Sequence, residues 1–491
     1  MISKTFKIVG FYLTILTFRP EFNSMVFAQH PDNYFAPEDI QEDLKWLRSK
    51  VLQYHPACMD SVRKDSVDHA FQVAMYEAEK QLQELQFLRL LQQTLISLRC
   101  GHTTAIPSKD FYSYYKAARP KPMYPLQVYA SDDGLIVRYN ESDDPKISIG
   151  DKIISINQES VTDISSSILG LIPGDGYNTT FKKHHLSLNF PSYYLFSRGP
   201  DYAFESGILD TNGKYSSHNF SLRSTGKTIT RQGQQKSIRI LKSDRHKALG
   251  SLSSNPTIGI LKIYGFGGSP TWYKTAFEEI EKRKFQKLIL DLRGNSGGNL
   301  FNASELLKYL LPDTFSMRFE RKDQKIRFNG YSDMSIPMRF TISAFKWLSS
   351  RPQKMRPTCQ KINGRLINRF RFSLSDEFRY DGKLLVLMDG GTFSAATIVA
   401  AMLKKKLKVP LVGEESGGGA NGTNAMVVPI LTLPNTKMRV FLPLFYINQE
   451  MDGLPGRGLF PDLYLQPDVK KKVKGVDSEL EYLSKNLNWF K

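Results

Sequence analysis

The sequence predicts an α/β protein whose largest unit is a core of parallel strands covered by helices. An apolar strand over 288–292 runs into a glycine loop at 293–298 and then into a helix over 300–311. The same order returns at 384–400, where an apolar strand, paired glycines and a helix follow one another. Strands that alternate with helices through short turns are typical of a parallel sheet, so two such units indicate an α/β core.

Ser394 stands directly after the second glycine turn, where the helix begins. Several hydrolase folds present a nucleophile on such a sharp strand-to-helix turn. The free N–H groups of the helix N-terminus can then stabilise a developing oxyanion. Serine is also a favoured helix N-cap. This stretch therefore leaves two roles open for Ser394, nucleophile or cap.

Composition indicates a globular protein of several domains. A chain of 491 residues is too long for one compact core, and 41% hydrophobic with 12% aromatic residues is typical of folded proteins. The net charge is +19, but Lys and Arg are spread along the chain without a zinc-finger or RNA-recognition signature. We therefore expect no nucleic-acid partner and a surface suited to anionic surroundings.

The three cysteines, Cys58, Cys100 and Cys359, cannot form a disulfide framework. None of them has the spacing of a metal-binding pair, and the glycine loops lack the Lys-Ser/Thr of a phosphate-binding loop. We expect neither a metal nor a cofactor.

Residues 1–28 have the pattern of a secretory signal peptide. Lys4 and Lys7 precede an apolar run over 8–18, and small residues offer a cleavage site at 26–28. No later apolar run is long enough to span a membrane. We expect a secreted or periplasmic protein without an integral membrane segment after cleavage of the signal.

Residues 36–118 predict an N-terminal helical domain, because apolar residues recur at three-to-four spacing as far as residue 99. The segment Cys100-Gly101-His102-Thr103 follows the last of these helices. His102 thus lies at a helix-to-strand junction, where a side chain can point into a cleft. A lone histidine is more often structural than catalytic, so both roles stay open here.

Residues 119–199 predict a strand-rich domain, in which 149–157 resembles a strand pair of the PDZ fold and a helix follows at 164–172. Such a module binds an extended peptide by adding it to a sheet edge. A β-rich spacer without a ligand is the alternative. Residues 200–255 predict strands that connect this domain to the core.

The predicted core extends over 256–469 and contains an insertion at about 313–381 that is rich in aromatic residues and Arg. The insertion can be a lid or channel wall, or a surface excursion with its own small core. Residues 470–491 predict a C-terminal tail with a short basic segment and a helix.

Four motifs then occur in the order of one family: DLRGNSGG (291–298), GGTFSAA (390–396), VGEESGGG (412–419) and GLFPD (458–462). Together with the helical unit and the PDZ-like module, they resemble the carboxyl-terminal-processing and tricorn-type serine peptidases, the tail-specific proteases. The resemblance covers nearly the whole chain after the signal. It implies a crotonase-like (ClpP/crotonase) α/β peptidase core.

The resemblance also implies Ser394 as nucleophile and separates two branches by their general base. One branch uses a Lys at a position that falls here on Gly419, in a loop without Lys. The tricorn-like branch uses a His in a motif that Gly101-His102-Thr103 resembles, so we expect His102 to be the base. By the same resemblance, the backbone N–H groups of Gly298 and Ala395 form the oxyanion hole, each donor contributing about 3 kcal/mol to transition-state stabilisation.

An acidic residue completes the site of the tricorn-type enzymes, and its position, counted from Ser394, falls here on Asp452. We expect Asp452 to orient the site, with Glu450 close by in the sequence. Cys100 replaces the acidic residue that is common before the G-H pair in that family.

We therefore predict a secreted serine endopeptidase that hydrolyses peptides or unfolded proteins. Two alternatives remain. The first is a catalytically inactive relative that binds peptides, and the second is a basic surface-binding protein without an active site.

Overall fold

The computed structural model describes residues 34–118, 122–222, 237–325 and 358–489. The predicted signal peptide and the middle of the predicted insertion, 326–357, lie outside these residues. Among the helices of the described ranges, none combines the length and the apolar character needed to cross a bilayer.

The N-terminal unit is helical, as its periodicity predicts. Its elements are β1 (Tyr34–Phe35), α1 (Pro37–Tyr54), α2 (Ser61–Glu77), β2 (Leu82–Gln83), α3 (Glu84–Ile96), β3 (Ala105–Ile106) and α4 (Lys109–Ala117). Helix α1 starts with a proline in its first turn and buries Leu44, Leu47 and Val51, which share one face because of their spacing. These side chains join the same hydrophobic cluster as the core strands, so the unit packs directly on the core.

The second unit is built on an antiparallel sheet. Its elements are β4 (Leu126–Ser131), β5 (Gly134–Asn140), β6 (Lys152–Ile156), β7 (Glu159–Ser160), α5 (Val161–Leu169), α6 (Thr180–Arg198), β8 (Ala203–Leu209) and β9 (Tyr215–Ser221). The strand order is β4-β5-β6-β8-β9, with β7 paired to β6. This unit has a separate hydrophobic cluster around Tyr124, Phe190 and Phe204.

The predicted connecting segment, 200–255, is divided between two sheets in the structure. Strands β8 and β9 pair with β6 and with each other, so the sheet of the second unit continues to Ser221, beyond the predicted boundary at residue 199. The strands after residue 237 belong to the core. The backbone hydrogen bonds of β8 explain the difference, because a strand joins the sheet that satisfies its N–H and C=O groups.

The core holds the remaining elements. They are β10 (Ile238–Ser243), β11 (Lys247–Leu252), β12 (Asn255–Ile263), α7 (Thr271–Lys282), β13 (Lys287–Asp291), α8 (Leu300–Leu310), β14 (Phe315–Lys322), β15 (Thr358–Ile362), β16 (Arg365–Phe372), β17 (Lys383–Met388), α9 (Ala395–Leu407), β18 (Leu411–Gly413), β19 (Gly422–Ala425), β20 (Ile430–Thr432), β21 (Arg439–Phe441), β22 (Phe445–Asn448), β23 (Leu463–Tyr464), α10 (Val469–Val473) and α11 (Ser478–Lys485).

The main sheet is mixed, in the order β10-β11-β12-β13-β17-β18-β23. The first two pairings are antiparallel and the pairings from β12 to β23 are parallel. Strands β13 and β17 are neighbours at its centre, and their apolar residues are buried. The carboxyl ends of β13 and β17 therefore meet at one edge, where both glycine loops begin. The predicted α/β class is confirmed.

A second sheet, in the order β15-β16-β14-β22-β19, contains the described strands of the insertion. Phe315, Met317 and Phe319 of β14 belong to the main hydrophobic cluster, and β14 pairs with β22. The described part of the insertion is thus a component of the core rather than an excursion with a core of its own.

The C-terminal tail is packed against the main sheet. Leu480 and Leu483 of α11 cover Ile258, Ile260 and Ile289. These contacts give the terminal helix a structural role.

Candidate active site

Ser394 lies between β17 and α9 with φ 54° and ψ −122°, a backbone conformation that is unusual for a residue with a side chain. Helix α9 begins at Ala395, and the side chain of Ser394 makes no capping hydrogen bond. Its Oγ lies 3.0 Å from Nε2 of His102 instead. The structure thereby overturns the N-cap alternative, since the Ser394 side chain makes no hydrogen bond to an N–H group of the helix.

Hydrogen bonds join the two glycine loops on which the site is built. Asp389 Oδ1 accepts the N–H of Gly391 at 2.9 Å and the N–H of Gly294 at 2.8 Å. The N–H of Phe393 donates to the carbonyl of Asn295 at 3.0 Å. These bonds hold the loop after β13 against the residue before Ser394.

The two loops touch so closely that Gly297 has no room for a side chain. A Cβ at this position would lie 2.7 Å from Ser394 Cβ and 3.0 Å from Ala395 N, and φ is +104°. Glycine is required there because a side chain would collide with Ser394 and because other residues rarely adopt such a positive φ. The chain of residues 297–298 therefore passes directly beside Ser394 and the first N–H of α9.

The predicted oxyanion donors, Gly298 and Ala395, lie at this contact. Within the described ranges neither backbone N–H has a hydrogen-bond partner, whereas the N–H of Gly297 donates to Asn295 Oδ1 at 2.9 Å. Both N–H groups are thus without a partner in the described ranges, in the segments that meet at Ser394. Such an arrangement stabilises negative charge on an oxygen.

His102 reaches Ser394 from the segment between α3 and β3. The side chain is buried, and its ring packs against the tilted ring of Phe393 with 4.6 Å between ring centroids. Gly101 makes this contact possible, because a Cβ there would lie 2.7 Å from the Phe393 ring. Burial lowers the pKa of His102 to about 4, so the imidazole is neutral at pH 7 and can accept a proton.

On its other side, Nδ1 of His102 lies 3.3 Å from the hydroxyl of Thr423 in β19. Thr423 also hydrogen-bonds the carboxylate of Asp175, a buried residue in the loop that follows α5. Neither residue belongs to the four motifs. A single acidic residue between two glycines, Gly174-Asp175-Gly176, is the only local signal of Asp175 in the sequence.

The structure does not bring Asp452 to the site. It is exposed, in the loop between β22 and β23, and in the described part of the chain the hydrogen-bond partners of His102 are Ser394 and Thr423. Glu450, its neighbour, pairs with Arg369 and Arg318. We therefore remove Asp452 from the predicted site. Counting residues from Ser394 does not determine where a surface loop lies.

The third and fourth motifs hold each other in place behind Ser394. Arg457 binds Glu415 through two nitrogens, and Glu415 also accepts the N–H of Gly458 at 2.7 Å. The N–H groups of Gly417 and Gly418 donate to the carbonyl of Thr392, at 2.9 Å and 3.2 Å. The loop that carries the general base in the Lys-dependent branch thus has a supporting role here.

Cys100, His102 and Asp175 have donor atoms within 4.8 Å of one another, a combination that could hold a metal ion. The carboxylate of Asp175 already accepts the N–H groups of Gly101 at 2.9 Å and Gly419 at 3.3 Å. Hydrogen bonds therefore account for this arrangement without a metal.

A cavity of about 430 Å³ lies one turn along α9 from Ser394. Ile398 and Met402 of α9 and Phe315 of β14 form its apolar side, and Arg371 and Lys406 add positive charge. The described part of the insertion thus contributes a wall next to the site.

Comparison with known proteins agrees with this geometry. Residues 257–464 match the model of peptidase family S41. The carboxy-terminal-processing protease of Bartonella bacilliformis is 29% identical over 115 residues, which are 22% of this chain and 25% of that protein. The chain thus matches about a quarter of the length of this curated relative.

Two solved structures share the fold. Mature CPAF has a TM-score of 0.66 at 14% identity, over 93% of this chain and 98% of the other. Mature CPAF complexed with lactacystin has a TM-score of 0.68 at 14% identity, over 93% and 99%. The resemblance drawn from the four motifs is confirmed, because the core of this chain, residues 257–464, matches peptidase family S41.

Proposed function

We propose that the protein is a serine endopeptidase that hydrolyses peptides or unfolded proteins, with Ser394 as nucleophile and His102 as general base. The observation that carries the proposal is the 3.0 Å contact between Ser394 Oγ and His102 Nε2 at a strained strand-to-helix turn. The free N–H groups of Gly298 and Ala395 support it.

The geometry supports a two-step acyl transfer. Ser394 Oγ attacks the carbonyl carbon of the scissile peptide bond while His102 Nε2 takes its proton. The carbonyl oxygen becomes an oxyanion, which the N–H groups of Gly298 and Ala395 stabilise. The C–N bond then breaks as His102 returns the proton to the leaving amine. Water, deprotonated by His102, hydrolyses the acyl-enzyme and restores Ser394.

The finer assignments of fold and location belong to the same proposal. The mixed sheet with helices on its faces supports a crotonase-like core. The sheet of the second unit supports a PDZ-like domain, in which β4 is an edge strand beside α6 that an extended peptide could lengthen. Residues 1–28 support export to the periplasm or beyond, which N-terminal sequencing of the mature protein tests.

Digestion of a diverse peptide mixture, followed by mass spectrometry, tests the activity. The wild type is compared with Ser394→Ala and with a matched control, Ser304→Ala, which removes a buried hydroxyl of α8 that donates to the carbonyl of Phe301 in its own helix. We expect products from the wild type and the control and none from Ser394→Ala. Equal products from all three would remove Ser394 as nucleophile. No products from any, with retained peptide binding, would favour the inactive relative.

A further inference from the structure

We propose that Thr423 and Asp175 form a hydrogen-bonded relay that sets the tautomer and the orientation of His102. They are positioning residues, and they occupy the place for which the sequence suggested Asp452. The inference rests on the proposed function, because it assigns a role to groups behind the proposed general base.

The relay is continuous and buried. His102 Nδ1 lies 3.3 Å from Thr423 Oγ1, and a carboxylate oxygen of Asp175 lies within 4.8 Å of a His102 ring nitrogen. The Thr423 side chain lowers the pKa of Asp175 through a hydrogen bond. Exposure is 5% for His102, 2% for Thr423 and 5% for Asp175, so water does not compete for these bonds. Three segments that are distant in the sequence thus meet behind the imidazole.

Proton counting gives the relay its direction. A threonine hydroxyl has one proton, and an ionised carboxylate only accepts hydrogen bonds. If Thr423 donates to Asp175, its oxygen must accept from His102, and Nδ1 then carries the imidazole proton. Nε2 is left with a lone pair that faces the Ser394 hydroxyl, which is the tautomer that a general base needs.

Backbone donors favour the ionised, acceptor state of Asp175. The N–H groups of Gly101 and Gly419 donate to its two carboxylate oxygens at 2.9 Å and 3.3 Å. They oppose the burial that raises its pKa. The titratable groups that face Asp175 are His102, Cys100 and Tyr446.

The loop that carries Asp175 is itself anchored to the core. The N–H of Gly176 donates to the carbonyl of Arg99 at 2.9 Å, and the N–H of Tyr177 donates to that of Gly456 at 2.6 Å. Asn178 Nδ2 donates to the carbonyl of Ser416 at 2.7 Å. Asp175 is therefore held on the core although its loop follows a helix of the second unit.

The carboxylate also has a role once His102 is protonated. The imidazolium that forms during the reaction is buried, where a cation is costly. The carboxylate of Asp175 lies within 4.8 Å of a ring nitrogen of His102, and its negative charge compensates the positive charge of the imidazolium, directly or through Thr423. Loss of Asp175 should therefore lower kcat more than it changes KM.

The kinetic test uses Asp175→Asn, Thr423→Val and Thr423→Ser in the full chain. Asp175→Asn should lower kcat on the order of 100-fold or more, since its amide can donate to Thr423 and reverse the relay. Thr423→Val should lower kcat on the order of 10-fold to 100-fold, and Thr423→Ser, which keeps the hydroxyl, should stay within about threefold.

The matched control is Asp43→Asn. Asp43 is buried and accepts the N–H groups of Asn435 and Thr436 and the hydroxyl of Thr436, so it has the same kinds of partners as Asp175. It has no bond to the site, and we expect a lower melting temperature with unchanged kcat. If Asp175→Asn behaves like Asp43→Asn, or Thr423→Ser is as impaired as Thr423→Val, the relay is overturned.

A second measurement does not depend on cleavage. Nitrogen chemical shifts of ¹⁵N-labelled histidine should show His102 protonated at Nδ1 in the wild type and in Asp43→Asn, with Nε2 protonated in Asp175→Asn. A wild type protonated at Nε2 overturns the relay. If the wild type cleaves nothing but shows the expected tautomer and its reversal, the relay stands and the proposed function fails.

Discussion

The two halves of the site are built differently. The nucleophile half, Ser394 with Gly297, Gly298 and Ala395, comes from the carboxyl ends of two neighbouring parallel strands, β13 and β17. The base half joins His102, Thr423 and Asp175, and the His102–Thr423 contact spans 321 residues of sequence. The first half works through backbone shape and the second through side-chain hydrogen bonds. Substitutions in the two halves should therefore lower activity for different reasons.

The largest expected effect is in the base half. His102→Gln removes the proposed general base, and kcat should fall on the order of 10⁴-fold with the fold retained. Steady-state kinetics on a cleaved peptide measure it. His69→Gln, at an exposed histidine of α2, is the control and should leave kcat unchanged. Comparable activity of His102→Gln and wild type would exclude His102 as base.

In the nucleophile half, Gly297→Ala tests the role of backbone space. Its Cβ would lie 2.7 Å from Ser394 Cβ, so the loop must move away from the oxyanion position. We expect kcat to fall on the order of 10²-fold to 10³-fold, the effect of losing one oxyanion donor.

Gly364→Ala separates crowding from backbone strain. Gly364 also has a positive φ, +72°, but a Cβ there would meet nothing within 4 Å. This variant should keep its kcat. Equal losses in both variants would mean that strain, and not the fit beside Ser394, explains the effect of Gly297→Ala.

Acid should also distinguish the halves, because the base half contains the buried, neutral His102, and a second buried histidine, His55, lies beside it with Nε2 2.8 Å from Thr103 Oγ1. Burial lowers the pKa of His102 to about 4 and that of His55 to about 3, against about 6.5 in an unfolded chain. As pH falls below 6.5 the unfolded state binds protons first, so stability is lost toward pH 4. At pH 5 each of these two histidines should lower the free energy of unfolding by about 2 kcal/mol.

Urea unfolding at pH 7 and pH 5 measures this loss. Glu414 acts in the opposite direction, because burial raises its pKa to about 7 and the folded state takes up its proton first. The comparison of wild type with His55→Gln isolates one histidine, and the variant should lose less stability between the two pH values. An identical loss in both proteins would contradict the assignment.

The smallest expected effect is that of Asp452→Asn. Asp452 is exposed, and substitutions at such positions usually change stability by less than about 0.5 kcal/mol. Its kcat should stay close to that of the wild type, because in the described residues the hydrogen-bond partners of the His102 side chain are Ser394 and Thr423. A tenfold decrease in kcat would indicate that Asp452 belongs to the base half of the site.

Local sequence patterns were sufficient to predict much of the core. Apolar runs broken by glycine turns predicted β13, β17 and α9, because burial on both faces of a parallel strand leaves a continuous apolar segment. Ser394, Gly298 and Ala395 lie inside such units, so their mutual placement follows from the chain itself. His102 was found because it stands in a short motif at a helix end.

Other features depended on how distant segments pack. The boundary at residue 199 was wrong for the sheet, since hydrogen bonds to β6, and not composition, decide where β8 and β9 belong. The choice between cap and nucleophile for Ser394 depended on the direction of one hydroxyl.

Asp175 and Thr423 show most clearly that sequence patterns do not predict contacts between distant segments. Strand periodicity and motif spacing describe residues that are near one another in the chain. The bonds that join these two side chains to His102 bring together the helical unit, a loop after α5 and the core sheet. The sequence by itself determined the proposed nucleophile and the proposed oxyanion donors. Tertiary packing determined the groups behind the proposed base, because a buried side chain takes whichever hydrogen-bond partner the fold places within reach.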